Sequence, residues 1–192
     1  MRELKALGVE DGSFDPRDLK RRGKTILCCT LMENLRFEDV RLRLIEVDGL
    51  DATEKLIDMA KTLETADVIM LGGITFAGFN LVDPVEVYGQ FKVPIIVVTR
   101  DKPDNQSVLE ALKKHFADWS IRYEVFRRLA DISPVYELKP SPKENPVYVE
   151  VVGMAVEEAF EVLKKTTIRG RMPEPIRLAN SIAKAASRLT CS

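Results

Sequence analysis

The sequence predicts an α/β fold whose mixed sheet begins as an antiparallel meander, continues with parallel strands and is flanked by helices. The first quarter of the chain carries three apolar segments of strand length with short connections. Beyond them, apolar residues recur every three or four positions, and these helical patterns alternate with short continuous runs of Val, Ile and Leu. Strands joined by short connections favour antiparallel pairing, whereas the later alternation favours crossover units.

The meander strands are predicted at residues 4–10, 25–32 and 37–47. Asp11-Gly12 provides a turn after the first strand, and a charged loop containing Pro16 and Gly23 precedes the second. The other elements are buried strands at 67–71 and 93–99, a strand at 147–152, helices at 51–64, 109–116 and 155–163, and two helices that begin at Asp83-Pro84 and at Pro173. Residues 134–146 are predicted to form a surface loop or hairpin. This order matches the ribonuclease H-like plan better than a doubly wound nucleotide-binding fold.

Length and composition suit one domain over residues 1–192. The chain is 45% hydrophobic and shows no linker-like segment, and its net charge of −1 does not by itself indicate a nucleic-acid-binding protein. Basic residues nevertheless cluster in two places, where they either contact phosphates or simply solvate the surface. One cluster lies near the N-terminus and the other after Phe160: Arg17, Lys20, Arg21, Arg22 and Lys24, then Lys164, Lys165, Arg169, Arg171, Arg177, Lys184 and Arg188.

The three cysteines, Cys28, Cys29 and Cys191, form neither a zinc-type pair nor a disulfide framework. Adjacent Cys28 and Cys29 are expected to point to opposite faces of the second strand. The sequence shows no signal-peptide pattern and no apolar run of bilayer length. We therefore expect a reduced, cytoplasmic environment and no membrane partner.

Two carboxylates occupy positions that a metal-dependent phosphodiesterase of this architecture would use. Asp11 ends the first strand and Asp51 begins the first helix, and Mg²⁺ is held by carboxylates that converge from separate elements. Each residue also has a structural interpretation: Asp11 as a turn residue, and Asp51 as a helix N-cap in a capping-box-like pattern with Glu54. Glu10 adjoins Asp11, but in a regular strand its side chain faces the other way.

A glycine-rich segment, residues 72–80, follows a buried strand at a position where α/β proteins commonly bind ligands. The glycines allow close backbone approach, Thr75 and Asn80 offer polar contacts, and Phe76 and Phe79 are expected to be exposed. The segment matches neither the dinucleotide fingerprint nor the P-loop, and a plain glycine-rich turn is the alternative. His115 is the one histidine in the sequence and has no nucleophile motif beside it, which argues against Ser-His-Asp and Cys-His mechanisms.

Several segments resemble endonuclease V in the same order along the chain. Residues 171–177, Arg-Met-Pro-Glu-Pro-Ile-Arg, resemble the Pro-Glu-Pro-x-Arg segment at the C-terminal end of that family, and residues 8–14 resemble its first strand, where an Asp is a metal ligand. Residues 67–73 fit its central strand and residues 94–100 the next one. With Gly-Ile-Thr-Phe-Ala-Gly-Phe-Asn at 73–80, the chain also looks like a mainly archaeal family of unknown function that is distantly similar to endonuclease V.

The resemblance implies roles for individual residues and also shows departures. Asp11 takes the place of the first metal ligand, Asp51 that of a catalytic Glu and Arg100 that of a catalytic Lys. The family's second metal-binding Asp, in an Asp-Gly-His-Gly motif, corresponds to Gly72-Gly73-Ile74-Thr75, its late Gly-His pair to Val151-Val152, and no Tyr-x-Pro-Gly wedge precedes Gly49. Because each lost ligand costs both charge and geometry, deoxyinosine-directed cleavage does not carry over directly.

The leading hypothesis is a nucleic-acid-processing protein with an endonuclease V-like fold and a weak Mg²⁺ site at Asp11 and Asp51. If it is catalytic, it is a Mg²⁺-dependent phosphodiester hydrolase in which Arg100 helps to neutralise the phosphate. The glycine-rich segment would then seat the nucleotide through Gly72, Gly73, Thr75, Phe76, Gly78 and Asn80. The alternatives are a non-catalytic module that binds nucleic acid or a nucleotide in the same cleft, and a small-molecule enzyme on a reused fold. DNA and RNA both remain open as partners.

Overall fold

A seven-stranded mixed sheet of order β3-β2-β1-β4-β7-β9-β8 runs through the centre of the protein. The structure, a computed structural model, describes residues 3–14 and 23–190, so most of the N-terminal basic cluster (Arg17, Lys20, Arg21 and Arg22) and Cys191 lie outside the described residues. The strands are β1 (Lys5–Asp11), β2 (Lys24–Glu33), β3 (Arg36–Glu46), β4 (Val68–Leu71), β5 (Thr75–Phe76), β6 (Asn80–Leu81), β7 (Ile95–Thr99), β8 (Tyr136–Leu138) and β9 (Val147–Val152). The helices are α1 (Ala52–Lys61), α2 (Pro84–Phe91), α3 (Asn105–His115), α4 (Trp119–Ile132), α5 (Val156–Thr166) and α6 (Glu174–Thr190).

The predicted meander is confirmed. β1 pairs antiparallel with β2, from Lys5 opposite Glu33 to Asp11 opposite Leu27, and β2 pairs antiparallel with β3. β1 also pairs in parallel with β4, and β4 in parallel with β7. The C-terminal ends of β1, β4 and β7 therefore lie at one edge of the sheet, where open α/β sheets commonly bind ligands.

Helices cover both faces of the sheet, and the alternation of side chains along the strands explains why. In β4, Ile69 and Leu71 pack into the core beneath α1 to α4, whereas Val68 and Met70 pack into the core beneath α5 and α6. A strand buried on both faces needs a continuous apolar run, which is what the sequence provides. The helix start at Asp83-Pro84 is also confirmed, because the Asp83 side chain accepts hydrogen bonds from the backbone N–H groups of the first turn of α2.

Helix α4 was not predicted from the sequence. Its buried positions are Arg122, Phe126 and Leu129, while Ile121 and Ile132 are exposed. An arginine in the buried stripe and isoleucines outside it obscure the apolar periodicity on which helix prediction depends. Residues 134–146 form a hairpin, as predicted, because β8 within them pairs antiparallel with β9.

The cysteines of β2 point to opposite faces of the sheet, as predicted. Cys29 packs beneath α1 and Cys28 beneath α6, and both are free thiols. Burial raises the pKa of the Cys28 thiol to about 12 and that of Cys29 further still, so neither has the thiolate character that reactivity requires. Among the described residues, no helix has the length and apolar character that crossing a bilayer requires.

Candidate metal centre and nucleic-acid interface

Glu10 and Asp11 place two adjacent carboxylates at the C-terminal end of β1. Asp11 accepts a hydrogen bond from the backbone N–H of Ala77 at 2.5 Å. Glu10 lies on the other face, towards α6, and its carboxylate rests against Gly72 at the end of β4. A Cβ atom at Gly72 would lie 2.1 Å from Glu10 Oε1. Gly72 therefore leaves the space that the Glu10 carboxylate occupies.

Both carboxyl groups sit where ionisation is unfavourable. Burial raises the pKa of Glu10 to about 8, and the charge of Asp11 adds to this, while Arg100 and Lys184 act in the opposite direction. Burial also raises the pKa of Asp11, opposed by the Ala77 N–H group and by Lys184. Within the described parts of the chain neither carboxylate forms an ion pair with a basic side chain, so Arg100 and Lys184 compensate the charges of an ionised pair only from a distance.

A cleft of about 290 Å³ surrounds the Glu10 carboxylate. The ends of β1, β4 and β7 form its floor, and α6 and the segment before it form one wall. Arg100, predicted from the resemblance as the phosphate-neutralising residue, lies at this cleft beside Asp101, and α6 contributes Asn180. The described residues contain no group of three or more His, Cys, Asp or Glu side chains placed to hold a metal ion.

A basic hollow of about 320 Å³ continues from the cleft and shares Arg100 and Met172 with it. It is lined by four arginines, among them Arg169 and Arg177 from the predicted C-terminal basic cluster. The fourth, Arg171, is held in place because its Nη1 donates hydrogen bonds to the backbone oxygens of Arg100 and Pro146. The structure thus brings part of that cluster next to the carboxylate pair.

Asp51 is tied into the fold through one carboxylate oxygen. Its Oδ1 accepts hydrogen bonds from the backbone N–H of Glu46 at 3.2 Å and from Asn80 Nδ2 at 2.6 Å. The capping-box interpretation is wrong, because the Asp51 side chain makes no capping hydrogen bond to α1. The cap comes from a distant strand instead: the backbone N–H of Ala52 donates to Asn80 Oδ1. The role of Asp51 as a metal ligand stays a prediction.

The glycine-rich segment folds as a compact hairpin formed by β5 and β6. The expectation that Phe76 is exposed is wrong: its ring is 1% exposed and belongs to the core, because alternation in this hairpin turns it inward. Asn80, predicted as a binding residue, is fully buried and bridges Asp51 and α1. Gly78 adopts a positive φ of 83°, and a Cβ there would lie 2.3 Å from Asp48 Oδ1. Of the predicted binding residues, Gly72, Gly73 and Thr75 line a cavity.

Two residues of the site region, Asn180 and Glu150, were not predicted from the sequence as functional candidates. Asn180 lines the cleft from α6, and Lys184 of the predicted basic cluster lies four residues further along the same face of that helix, where its charge acts on Glu10. Glu150 is a charged residue inside the apolar strand β9, and this break in an otherwise buried pattern is the signal that could have identified it.

The strand order and the placement of the helices define an endonuclease V-like, ribonuclease H-like fold. A structure of endonuclease V from Ciona intestinalis, in complex with DNA containing an inosine followed by a ribo-adenosine, superimposes with a TM-score of 0.67, covering 98% of this chain and 88% of that one at 12% sequence identity. At that identity the likeness concerns the fold alone. A crystal structure of a protein of unknown function from Archaeoglobus fulgidus gives a TM-score of 0.79 at 29% identity, covering 97% of this chain and 98% of that one.

The sequence profile of the family described as Endonuclease dU matches residues 2–187, and the chain belongs to this family. A UPF0215 protein from Thermococcus gammatolerans is 42% identical over 186 residues, which cover 95% of this chain and 92% of that protein. The predicted resemblance to a mainly archaeal family with an endonuclease V-like fold is therefore confirmed.

Proposed function

We propose that this protein is a Mg²⁺-dependent endonuclease that cleaves a phosphodiester bond of DNA at deoxyuridine. The observation that carries the proposal is the Glu10–Asp11 carboxylate pair at the end of β1, with Glu10 in a cleft that adjoins an arginine-lined hollow. The description of the family as Endonuclease dU supports deoxyuridine as the target. The shared fold with endonuclease V supports nucleic acid as the substrate class.

Glu10 and Asp11 offer the carboxylate oxygens that a magnesium ion prefers. Mg²⁺ is commonly bound by one or two carboxylates, with waters and substrate phosphates completing its shell, so a third acidic ligand is not required. Glu10 and Asp11 would hold the ion, and when bound it would supply an activated water and neutralise charge on the phosphate. The resemblance to endonuclease V places an Asp at Gly72. Here that position has no side chain, and the Glu10 carboxylate from the neighbouring strand lies in the vacated space.

The basic residues have a separate task. Arg100 lies at the cleft that contains Glu10 and also lines the basic hollow. A guanidinium there would neutralise the phosphate at the cleavage position, and Arg169 and Arg177 would hold neighbouring phosphates. These contacts are independent of sequence, so they position the strand and leave recognition to other groups.

Cleavage of defined oligonucleotides tests the proposed function. Duplex and single-stranded DNA with one deoxyuridine should be cut near that residue in millimolar Mg²⁺, and not after addition of EDTA. Matched DNA strands that carry thymidine or deoxyinosine at the same position, and a matched RNA strand that carries uridine there, establish selectivity. Failure to cut any of these substrates in Mg²⁺ or Mn²⁺ would contradict the proposal.

A second candidate function is a non-catalytic nucleic-acid-binding module, favoured by the lack of a larger acidic cluster among the described residues. It would bind DNA through the basic hollow with strong salt dependence and would show no metal-dependent cleavage. The oligonucleotide assay separates the two candidates. Both predict DNA binding, but only the endonuclease predicts a cleavage product.

Removing one arginine of the hollow should weaken the salt dependence of DNA binding. Arg169→Ala is expected to reduce the slope of log K against log salt by about 1 in magnitude, because one phosphate contact is lost. Fluorescence anisotropy across a salt series measures the slope. Arg36→Ala, which removes an exposed arginine at the start of β3, is the matched control and should leave the slope unchanged. Equal slopes for the wild type and Arg169→Ala would place the DNA elsewhere on the protein.

A further inference from the structure

Glu150 is a buried carboxyl group that the fold does not explain. It lies in β9 between Val149 and Val151 and is 8% exposed. It makes no hydrogen bond or ion pair with any residue that the structure describes, whereas buried Asp83, Asn80 and Arg122 are all bonded. Burial raises the pKa of Glu150 to about 7. Valine would fill this strand position without the cost of burying an unpartnered polar group.

The Glu150 side chain borders a cavity of about 200 Å³ between the sheet and helices α3 and α4. In β9, Glu150 pairs with Val97 of β7, so both side chains point towards those helices. Apolar walls come from Val97, Val108, Phe126 and Leu129. The cavity is smaller than the 300–1,000 Å³ typical of sites for whole drug-sized ligands, and it suits a single planar heterocycle.

The cavity and the candidate metal cleft meet at the same strand ends. Gly72, Thr99 and Asp101 border both. A nucleotide whose phosphate lies beside Glu10 and Arg100 can therefore place its base in the cavity, provided that the base is turned out of the stack, which enzymes acting on single nucleotides commonly achieve. Gly73, which carries no side chain, also lines the cavity.

We propose that Glu150 is the residue that recognises the extruded base, through paired hydrogen bonds between its neutral carboxyl group and the imide edge of uracil. A neutral carboxyl group has one O–H donor beside one carbonyl acceptor. Uracil presents a carbonyl acceptor beside the N3–H donor, so both groups are satisfied in one planar arrangement. Thymine shares this edge. Glu150 therefore accounts for binding of the base and not for rejection of the thymine methyl group. The inference rests on the proposed function for the identity of the base.

The test compares two replacements of Glu150. Glutamine keeps one donor beside one acceptor, whereas methionine keeps the volume and removes both. Binding is measured in EDTA, so that cleavage does not enter, and at pH 6, below the Glu150 pKa of about 7, with DNA that carries either one deoxyuridine or one reduced abasic site at the same position. The ratio of the two affinities reports the contribution of the base alone.

We expect the wild type to prefer deoxyuridine DNA over abasic DNA roughly ten- to hundredfold, as one well-formed buried pair of hydrogen bonds allows. Glu150→Gln should keep this preference within a few-fold. Glu150→Met should lose it while binding abasic DNA as the wild type does and unfolding at no lower a denaturant concentration. A preference that survives in Glu150→Met, or that is lost in Glu150→Gln, overturns the inference, as does a wild type with no preference.

The binding result is independent of catalysis. If the preference depends on Glu150 but no DNA is cut in the cleavage assay, the endonuclease proposal fails and the base-recognition inference holds. If deoxyuridine DNA is cut but the preference is unaffected in Glu150→Met, the endonuclease proposal holds and Glu150 has no part in recognition.

Discussion

Glu10→Gln is expected to stabilise the protein at pH 8 and above while abolishing Mg²⁺-dependent cleavage. In the unfolded chain Glu10 ionises near its ordinary pKa of 4.5, whereas in the folded protein burial raises the pKa to about 8. As the pH rises through this window the unfolded state loses the proton and the folded state keeps it, so stability falls with pH until the folded group also ionises. Glutamine does not ionise, so it avoids this loss of stability. For a pKa shift of this size the loss amounts to a few kcal/mol.

Urea denaturation at pH 5 and pH 8 measures the effect on stability, and the oligonucleotide assay measures the effect on activity. Glu38→Gln, at an exposed position of β3, is the matched control and should change neither. Higher stability together with lost cleavage in Glu10→Gln would be diagnostic, because a residue that lowers stability but is required for activity is retained for its chemistry. Loss of stability in Glu10→Gln at pH 8, or full cleavage by that variant, would contradict the assignment of Glu10 to the metal site.

Arg122→Met is expected to lower the free energy of unfolding by about 3–5 kcal/mol, the cost of breaking a buried charged network from one side. The Arg122 guanidinium is buried and donates hydrogen bonds to the backbone oxygens of Asp48, Gly49 and Phe79. It also forms an ion pair with Asp118 at 3.0 Å, and its guanidinium carbon lies 4.4 Å from the centre of the Phe116 ring. Methionine fills a similar volume but leaves three carbonyl groups without their donor.

Arg127→Met provides the control within the same helix. Arg127 forms ion pairs with Glu124 and Asp131, but its side chain is more than half exposed, and ion pairs of this kind contribute less than about 1 kcal/mol. Urea denaturation at pH 7 should therefore separate the two variants clearly. Losses of stability of equal size would mean that Arg122 does not hold the turn before α1 to the β5–β6 hairpin.

The position of Arg122 also links stability to the candidate site. Its three carbonyl partners lie in the turn before α1 and in the hairpin of the glycine-rich segment. The same turn and hairpin are joined by Asp48, which accepts from the backbone N–H of Phe79. Ala77 of that hairpin donates to Asp11. A substitution at Arg122 should therefore disturb Asp11 as well as the core.

Local patterns in the sequence predicted the elements of the sheet, because strand alternation and apolar runs are short-range signals. β1, β2, β3, β4, β7 and β9 all lie where those signals placed them. Helix α4 was missed because its buried stripe is built around Arg122, whose backbone carbonyl partners lie more than 40 residues away in the chain. No local pattern can show that a buried arginine will donate hydrogen bonds to three backbone carbonyl groups from distant segments.

The site was predicted in outline because motifs, like strand patterns, are local features of the sequence. Asp11 and Arg100 were assigned from motifs, and they lie at the same edge of the sheet, Arg100 in the cleft and Asp11 beside Glu10. The contribution of Glu10 depends on the empty space at Gly72, which is a contact between neighbouring strands. The pairing of Asp51 with Asn80 joins residues 29 positions apart, and both have ordinary local interpretations. Glu150 interrupts the apolar pattern of β9, but the cavity that it borders is formed with α3 and α4, which no local pattern places there.

A Mn²⁺ titration followed by electron paramagnetic resonance most directly tests the central claim that Glu10 and Asp11 form a metal site. Mn²⁺ takes the oxygen ligands that Mg²⁺ prefers, and its free form is counted from its signal. We expect the wild type to bind the ion at pH 8, and Glu10→Gln and Asp11→Asn to leave it free although both remain folded. The Glu38→Gln control should bind as the wild type does. Mn²⁺ binding that persists in both Glu10→Gln and Asp11→Asn, or no binding by the wild type at millimolar metal, would contradict the claim.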